Sequence, residues 1–283
     1  MDTSSPLRVD PDPRPAGPES RPSRSLARLW FPAALLIVGL YAGLPWMAPV
    51  LMRLGWTGPA EAIYGAYATQ CHQLSQRSYF LFGPKLMYAP DELGIDAGPQ
   101  DFVLLREFRG TAELGWKLAW SDRMTAMYSG LFVSLIAVRL LGRRLPTLPL
   151  WGFFLLLLPM AVDGGTHFLS DLSGFGQGFR DVNLWLAQAT GGGLGSSFYA
   201  GDAWGSFNAD MRLLTGLLFG LGVAWFAAPR IEASFRSAEE LKAASRRRAA
   251  ARDELRKRLE PVYNSSGPGG PLSARDPKRV DGG

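Results

Sequence analysis

The stretch that decides the fold is LPLWGFFLLLLPMAV, residues 148–162, an apolar run that continues through DGGTH to His167. Three further runs of this character occupy residues 29–51, 124–141 and 213–228. A helix needs about 20 apolar residues to cross a hydrocarbon core about 30 Å thick, and each run is near that length. We therefore predict an all-α, polytopic membrane protein with four transmembrane helices and two long outer loops.

The positions of arginine and lysine predict the orientation of these spans. Basic clusters occur in the N-terminal tail, in the short connection around 139–144 and after the fourth run, at 230–248. Such clusters mark the cytoplasmic side, so we expect a multi-pass protein of the cell membrane with both termini cytoplasmic. The formal net charge of +5 then lies on the inner face, where basic residues interact with anionic lipid headgroups. No nucleic-acid partner is expected.

The composition also predicts an organisation along the chain. The expected parts are a disordered cytoplasmic tail (1–25), a membrane domain (26–230) with outer loops 55–122 and 170–210, a basic cytoplasmic helix (231–260) and a disordered tail (261–283). The second outer loop is rich in glycine, which is typical of an irregular lid. The first is too long for a simple connector.

A polar stripe follows the third apolar run. On a helix, Asp163, Thr166, His167 and Ser170 fall on one face, at i, i+3, i+4 and i+7. Asp163 and His167 could hold one ion together, or the carboxylate could orient the imidazole. The alternative is an exit turn followed by an interfacial histidine.

A second polar stretch, QCHQLSQRSYFLFG, begins at Gln70. Helical spacing with Ile63, Tyr67 and Leu74 predicts that Cys71 is a buried small apolar residue. His72 is one of two histidines in the chain, and both fall on the predicted outer side, which favours a shared site. On the same helix, Gln73 and Arg77 would share a face. Arg77 is either a snorkelling interfacial charge or an anchor for an anionic group.

The second span opens with SDRM, residues 121–124. Ser121 or Asp122 can cap the helix, and a carboxylate there complements the helix dipole. Arg123 opposes the dipole and needs a compensating partner, for which Asp163 is available.

Four stretches carry a resemblance to a known family: CHQLSQRSYFLFG, WSDRMTAMYSG, PMAVDGGTHFL and NADMRLLTGLLFGLG, in this order. Together they resemble the predicted membrane proteins grouped as domain of unknown function 2085, over most of residues 60–228. The resemblance implies a shared fold and a shared polar site, and it implies no particular reaction. The family's final Arg-x-x-Thr-Gly is matched by Arg212, Thr215 and Gly216.

The chain departs from the family pattern at two places. Where the family usually has Cys-x-Arg-Cys-x-Gly, this chain has Ser121, Arg123, Met124 and Ala126, so the thiols for a relay or a cysteine-rich metal site are missing. Where the family usually has Gln, this chain has His167.

We predict that His72, Arg123, Asp163 and His167 converge in one outer-leaflet pocket. The assigned roles are catalytic for Asp163, His167 and Arg123, substrate-binding for Arg77, Gln73 and Arg212, and metal-ligating for His72, Asp163 and His167. A divalent metal such as zinc is the candidate cofactor.

The first functional hypothesis is a membrane-embedded enzyme acting on an anionic or lipid-linked substrate. The alternative is a non-catalytic accessory or assembly subunit of a membrane complex. A transporter is disfavoured because no internal repeat is visible. Membrane lipids and other membrane proteins are the expected partners.

Overall fold

The computed structural model describes residues 24–96 and 101–265. Its helices are α1 (Arg24–Arg53), α2 (Thr57–Ala68), α3 (Phe102–Glu107), α4 (Asp122–Leu141), α5 (Leu150–Asp171), α6 (Phe179–Val182), α7 (Leu184–Ala189), α8 (Ser196–Tyr199) and α9 (Phe207–Ser265). Four of them, α1, α4, α5 and α9, are long and apolar enough to cross a membrane. Each contains one predicted apolar run, except that residues 148 and 149 precede α5, so the predicted fold class is confirmed.

The chain divides into two compact units. Residues 28–232 form the unit that contains the loops and every buried polar residue discussed below. In the other unit, the described residues continue α9 through the basic stretch predicted at 231–260 and on to Ser265. The remainder of the predicted tails, 1–23 and 266–283, lies outside the described residues.

Glycines bring α4 and α9 into backbone contact. A Cβ atom on Gly220 of α9 would lie 2.4 Å from the backbone nitrogen of Leu131 and 2.6 Å from the carbonyl oxygen of Met127. One turn earlier, a Cβ atom on Gly216 would lie 2.8 Å from the Cβ atom of Ala126. Small residues allow such close packing of membrane helices, and the contact continues toward the end of the bundle where Asp122 begins α4.

That end, the loop side, carries residues 54–96, 101–121 and 172–206. A small antiparallel sheet forms here from β1 (Phe80–Leu81), β2 (Gly110–Thr111) and β3 (Gly115–Lys117), in the order β1-β3-β2. Lys117, the last residue of β3, has a buried side chain, whose Nζ donates to the carbonyl oxygens of Gln73 and Arg106, both at 2.6 Å. The sheet was not predicted.

The predicted helix through Cys71 and Leu74 is wrong. Helix α2 ends at Ala68, and Gln73 adopts a left-handed backbone conformation with φ of +52°. The buried amide of Gln73 stabilises this reversal, because its Nε2 donates to the carbonyl oxygens of Tyr64 at 2.9 Å and Ala119 at 2.8 Å. Consequently Gln73 and Arg77 do not share a helical face.

The glycine-rich second loop packs three short helices, α6 to α8, instead of forming the irregular excursion that its composition predicts. Asn183 joins α6 to α7 in the left-handed conformation, with φ of +43°, which asparagine tolerates. Its buried Nδ2 donates to the carbonyl oxygens of Arg180 at 2.6 Å and Tyr199 at 2.8 Å. These bonds join the helices of the loop to one another.

Candidate functional site

The polar stripe of α5 faces the interior of the bundle. Asp163, His167 and Ser170 are all buried, while Val162 and Phe168 beside them are exposed. Charged groups inside membrane helices are costly and face the protein interior. The stripe therefore needs buried partners, which other segments supply.

Asp163 is the centre of the first ion cluster. Arg123 in the first turn of α4 donates from Nη2 to Oδ2 at 2.7 Å, and Arg180 of α6 donates from Nη2 to Oδ1, also at 2.7 Å. The first pair is the compensation expected for Arg123. One carboxylate thus faces two guanidinium groups, which leaves a local surplus of one positive charge.

Arg180 was not among the site residues predicted from the sequence. The loop that carries it can approach α5 because position 178 is glycine, where a Cβ atom would lie 2.0 Å from Oγ of Ser170. The same Oγ accepts a hydrogen bond from the backbone N–H of Arg180 at 3.0 Å. Burial lowers the pKa of Arg180, and the carboxylate of Asp163 counteracts this shift only in part.

His167 is neutral in this arrangement. Its Nε2 lies 3.1 Å from Nη2 of Arg180, and since a guanidinium group can only donate, Nε2 must accept. The proton is then on Nδ1, which is buried and has no hydrogen-bond partner among the described residues. His167 therefore presents an N–H donor that nothing in the described part of the chain satisfies.

Asp202, in the loop after α8, is the centre of a second cluster. Arg77 donates from Nε to its Oδ2 at 2.9 Å, and Arg212 of α9 donates from Nη1 to its Oδ1 at 2.6 Å. Burial alone would raise the pKa of Asp202, but the two arginines outweigh burial and hold it below its usual value.

Each of these arginines also binds the end of a span. Arg77 makes a paired contact with Asp171, at 3.0 and 3.1 Å, and Arg212 donates from Nε to Asp122 at 2.7 Å. Burial lowers the pKa of Arg77, but Asp202 and Asp171 reverse the shift and raise it above its ordinary value. The second cluster thus ties α5 and α9 to α4 and to the first loop.

A cavity of about 250 Å³ lies between the two clusters. The predicted site residues that line it are His72, Gln73, Arg77, Arg123, His167 and Arg212. Asp163 is not part of this lining and lies behind Arg123, to which it is bonded. The structure therefore brings the predicted residues together around one space, with Asp163 as a supporting group.

The predicted metal set of His72, Asp163 and His167 does not fit a divalent ion. Both oxygens of Asp163 accept from arginines, Nε2 of His167 faces the guanidinium of Arg180, and the ring of His72 packs against Phe102 at 5.5 Å between centroids. Within residues 24–96 and 101–265, no three His, Cys, Asp or Glu side chains form a group that could hold a metal ion. The nearby positive charges oppose cation binding.

Cys71 also lines the cavity, and its partly buried side chain packs against the apolar cluster that contains Tyr67 and Trp120. Its Sγ accepts hydrogen bonds from the backbone N–H groups of Ser121 at 3.3 Å and Gln73 at 3.4 Å. Ser121 is the N-cap residue of α4, so the sulfur lies beside the positive end of the helix dipole. Because Cys71 is the one cysteine of the chain, a thiol reagent would modify the cavity at this position alone.

The opposite face of α5 lines a second space, an apolar groove of about 790 Å³ shared with α6, α7 and α9. The cavity contacts α5 through Gly164, His167, Phe168 and Asp171, and the groove contacts it through Leu158, Pro159, Val162, Asp163 and Thr166. Asp163 and Arg180 form the polar end of the groove. This ion pair thus lies between an apolar and a polar compartment.

The four spans and the buried ion clusters define an integral membrane protein with a polar site at the ends of its helices. Residues 107–226 match the family model described as predicted membrane protein (DUF2085), which confirms the resemblance. The match includes Arg123, Asp163, His167, Asp202 and Arg212 but not Arg77. No curated protein and no solved structure matches the chain.

Proposed function

We propose that the cavity binds an anionic group, such as a phosphate or a carboxylate, at the outer surface of the cell membrane. The proposal rests on the hydrogen bonding of Arg123, which lines the cavity. Its Nη2 is bonded to Asp163, while its Nε is buried and has no partner among the described residues. An unsatisfied guanidinium N–H costs free energy that an oxyanion would recover.

The electrostatics of the cavity favour an anion. Apart from the histidines, its charged lining consists of three arginines, Arg77, Arg123 and Arg212, and two aspartates, Asp122 and Asp171. The N-terminus of α4 reaches the same wall through Ser121, and helix N-termini attract anions through the dipole and free N–H groups. The Nδ1–H of His167 adds a further unsatisfied donor.

The volume limits the size of the bound group. At about 250 Å³, the cavity is smaller than the roughly 300–1,000 Å³ of pockets that enclose a whole drug-sized ligand. It suits one small polar group, either free in solution or carried by a lipid. Arg123 and His167 are then ligand contacts, and Asp163 positions Arg123 by holding its Nη2.

A second candidate function is that of an assembly subunit, in which the ion clusters only lock the fold. One observation favours it: the bonded network as a whole is nearly balanced in charge. Its members are Arg77, Arg123, Arg180 and Arg212 together with Asp122, Asp163, Asp171, Asp181 and Asp202. Such a network needs no ligand.

Binding of inorganic phosphate to the purified protein separates the two candidates. We expect phosphate to raise the thermal unfolding midpoint relative to chloride at equal ionic strength, since a ligand that binds only the folded state stabilises it. Arg123→Gln should abolish this increment. Arg139→Gln should retain it, because Arg139 lies on the same helix, is exposed and is absent from the cavity lining.

Arg123→Lys is a second variant in case Arg123→Gln does not fold. It keeps the positive charge opposite Asp163 but removes the planar guanidinium group. The rise in unfolding midpoint caused by phosphate should therefore fall sharply while the protein stays folded. A wild-type protein with no phosphate increment, whose Arg123 variants only lose stability, would favour the assembly subunit.

The proposed orientation is testable with two cysteines placed in a Cys71→Ser background. Asp91→Cys lies on the loop side and Ser245→Cys in the basic part of α9, and both positions are exposed. A membrane-impermeant maleimide added to intact cells should label the first and spare the second. The reverse pattern would invert the topology.

A further inference from the structure

We propose that the apolar groove between α5 and α9 binds the hydrocarbon chain of a lipid that carries an anionic headgroup. The inference rests on the proposed function, because the headgroup is taken to be the anion for which the cavity is charged. The anion would then come from the surrounding bilayer and would enter between α5 and α9.

The groove opens toward the lipid. Its walls include Leu158 and Val162 of α5 and Leu184 of α7, whose exposed fractions are 55%, 56% and 64%. Leu158 and Val162 lie on the candidate span α5, and Leu184 lies on the loop helix α7. At about 790 Å³, the groove falls within the roughly 300–1,000 Å³ typical of small-molecule sites.

The polar end of the groove is complementary to an anion. Arg123 and Arg180 share the single carboxylate of Asp163, and His167 beside them is neutral because its Nε2 accepts from Arg180. The side chain of Arg180 is 7% exposed, and its Nε is buried without a partner in the described part of the chain. A headgroup at this end would satisfy that donor and neutralise the surplus charge.

The two compartments meet at this pair. Arg180 lines the groove, Arg123 lines the cavity, and each is bonded to a different oxygen of Asp163. On α9 the same division holds, since Met211 and Thr215 face the groove and Arg212 faces the cavity. A lipid whose chain fills the groove therefore brings its headgroup to the boundary of the cavity.

A lipid fits this groove better than a protein segment. Trp185 lies at its loop-side end, and tryptophan is enriched where headgroups meet hydrocarbon. The remaining wall is apolar, apart from Asp163, Thr166, Arg180 and Thr215. A lipid has an apolar acyl chain and one anionic end, which matches a groove with a long apolar wall and one cationic end.

Photo-crosslinking tests the inference directly. The purified protein in phosphatidylcholine nanodiscs receives phosphatidylglycerol with a diazirine in its acyl chain, or diacylglycerol with the same chain and no phosphate. We expect phosphatidylglycerol to label residues 158–166 and 207–215 about tenfold more than diacylglycerol, which corresponds to a modest headgroup contribution. Equal labelling by the two probes would reduce the groove to ordinary lipid-facing surface and overturn the inference.

Variants that fill the groove with a larger side chain provide a second test of the inference. Val162→Trp should abolish the preferential labelling by phosphatidylglycerol, and Met211→Trp does the same from α9 in case the first variant fails to fold. Val133→Trp is the control, because Val133 of α4 is 61% exposed and does not line the groove. Preferential labelling that persists in both filled variants would also overturn the inference.

Failure here is distinguishable from failure of the proposed function. A phosphate increment in thermal stability that depends on Arg123, together with no preference for phosphatidylglycerol, leaves the cavity as a site for a soluble anion. Preferential labelling of the groove without any phosphate increment places the anion at Arg180 alone.

Discussion

Arg212 and Asp122 are 90 residues apart in the chain and form a buried ion pair, with Nε of Arg212 2.7 Å from Oδ2 of Asp122. Asp122 is completely inaccessible, and the side chain of Arg212 is 4% exposed. Arg212 donates to Asp202 as well. One guanidinium group therefore compensates two carboxylates, so its removal is far more costly than the loss of a surface pair.

Arg212→Gln should lower the free energy of unfolding by about 3–5 kcal/mol, because it leaves buried carboxylates without their counter-charge. Adding Asp122→Asn should recover part of that loss. Chemical unfolding of the single and double variants in detergent measures the coupling. Strictly additive losses would show that the two side chains do not act as a pair.

Asp202→Asn should be destabilising at neutral pH and nearly harmless in strong acid. The folded-state pKa of Asp202 is held below its usual value by Arg77 and Arg212, so its stabilising contribution is complete above the unfolded pKa of about 3.9. It is lost as the pH falls through the folded pKa. Unfolding curves of wild type and variant should begin to converge below pH about 4 and should meet only below the folded pKa. A constant difference across this range would refute the assignment.

His167→Gln should be better tolerated than His167→Leu. Glutamine has an oxygen that can accept from Arg180 and an N–H₂ group that can take the place of the Nδ1–H donor, and the related family usually has glutamine here. Leucine leaves a guanidinium N–H without its acceptor, at a cost of about 1–3 kcal/mol. The phosphate increment should persist in the glutamine variant and shrink in the leucine variant. Equal behaviour of both variants would exclude a hydrogen-bonding role for His167.

Gly220→Ala should be destabilising by about 1–3 kcal/mol, as expected for overpacking. The new Cβ would lie 2.4 Å from the backbone nitrogen of Leu131, so α4 and α9 must separate. Gly43→Ala on α1 is the matched control, since nothing lies within 4 Å of its added Cβ. Comparable unfolding of the two variants would show that close contact between α4 and α9 does not matter.

Features with a local physical signature could be predicted from the sequence. The spans follow from apolar runs of membrane length, and the pairing of Arg123 with Asp163 follows because a cation in the first turn of a helix requires compensation. The stripe of Asp163, His167 and Ser170 follows from helical periodicity. These are properties of regular structure, where spacing in the chain determines direction in space.

Contacts that depend on irregular backbone could not be predicted. The helical pattern that reads as continuous stops at Ala68, and the left-handed residue Gln73 follows, so the predicted shared face of Gln73 and Arg77 does not exist. Arg180 sits in a glycine-rich loop whose composition indicates no fixed position, and only the missing side chain of Gly178 against Ser170 brings it to Asp163. The available signal was that Arg180 is the one basic residue in a loop whose other charged residues are aspartates. The metal prediction failed because it considered the number of possible ligands but not the arginines that bind Asp163 and His167.

The glycine contact between α4 and α9 separates two tasks within the molecule. Neutral backbone surfaces set the spacing of the helices, while the charged side chains at their ends are matched chiefly with one another. The spacing of α4 and α9 at Gly216 and Gly220 is therefore set by uncharged groups, while the ion pairs join the ends of the helices. An anion that enters the cavity would then change the partners of the arginine side chains, while the glycine contact keeps α4 and α9 at the same spacing.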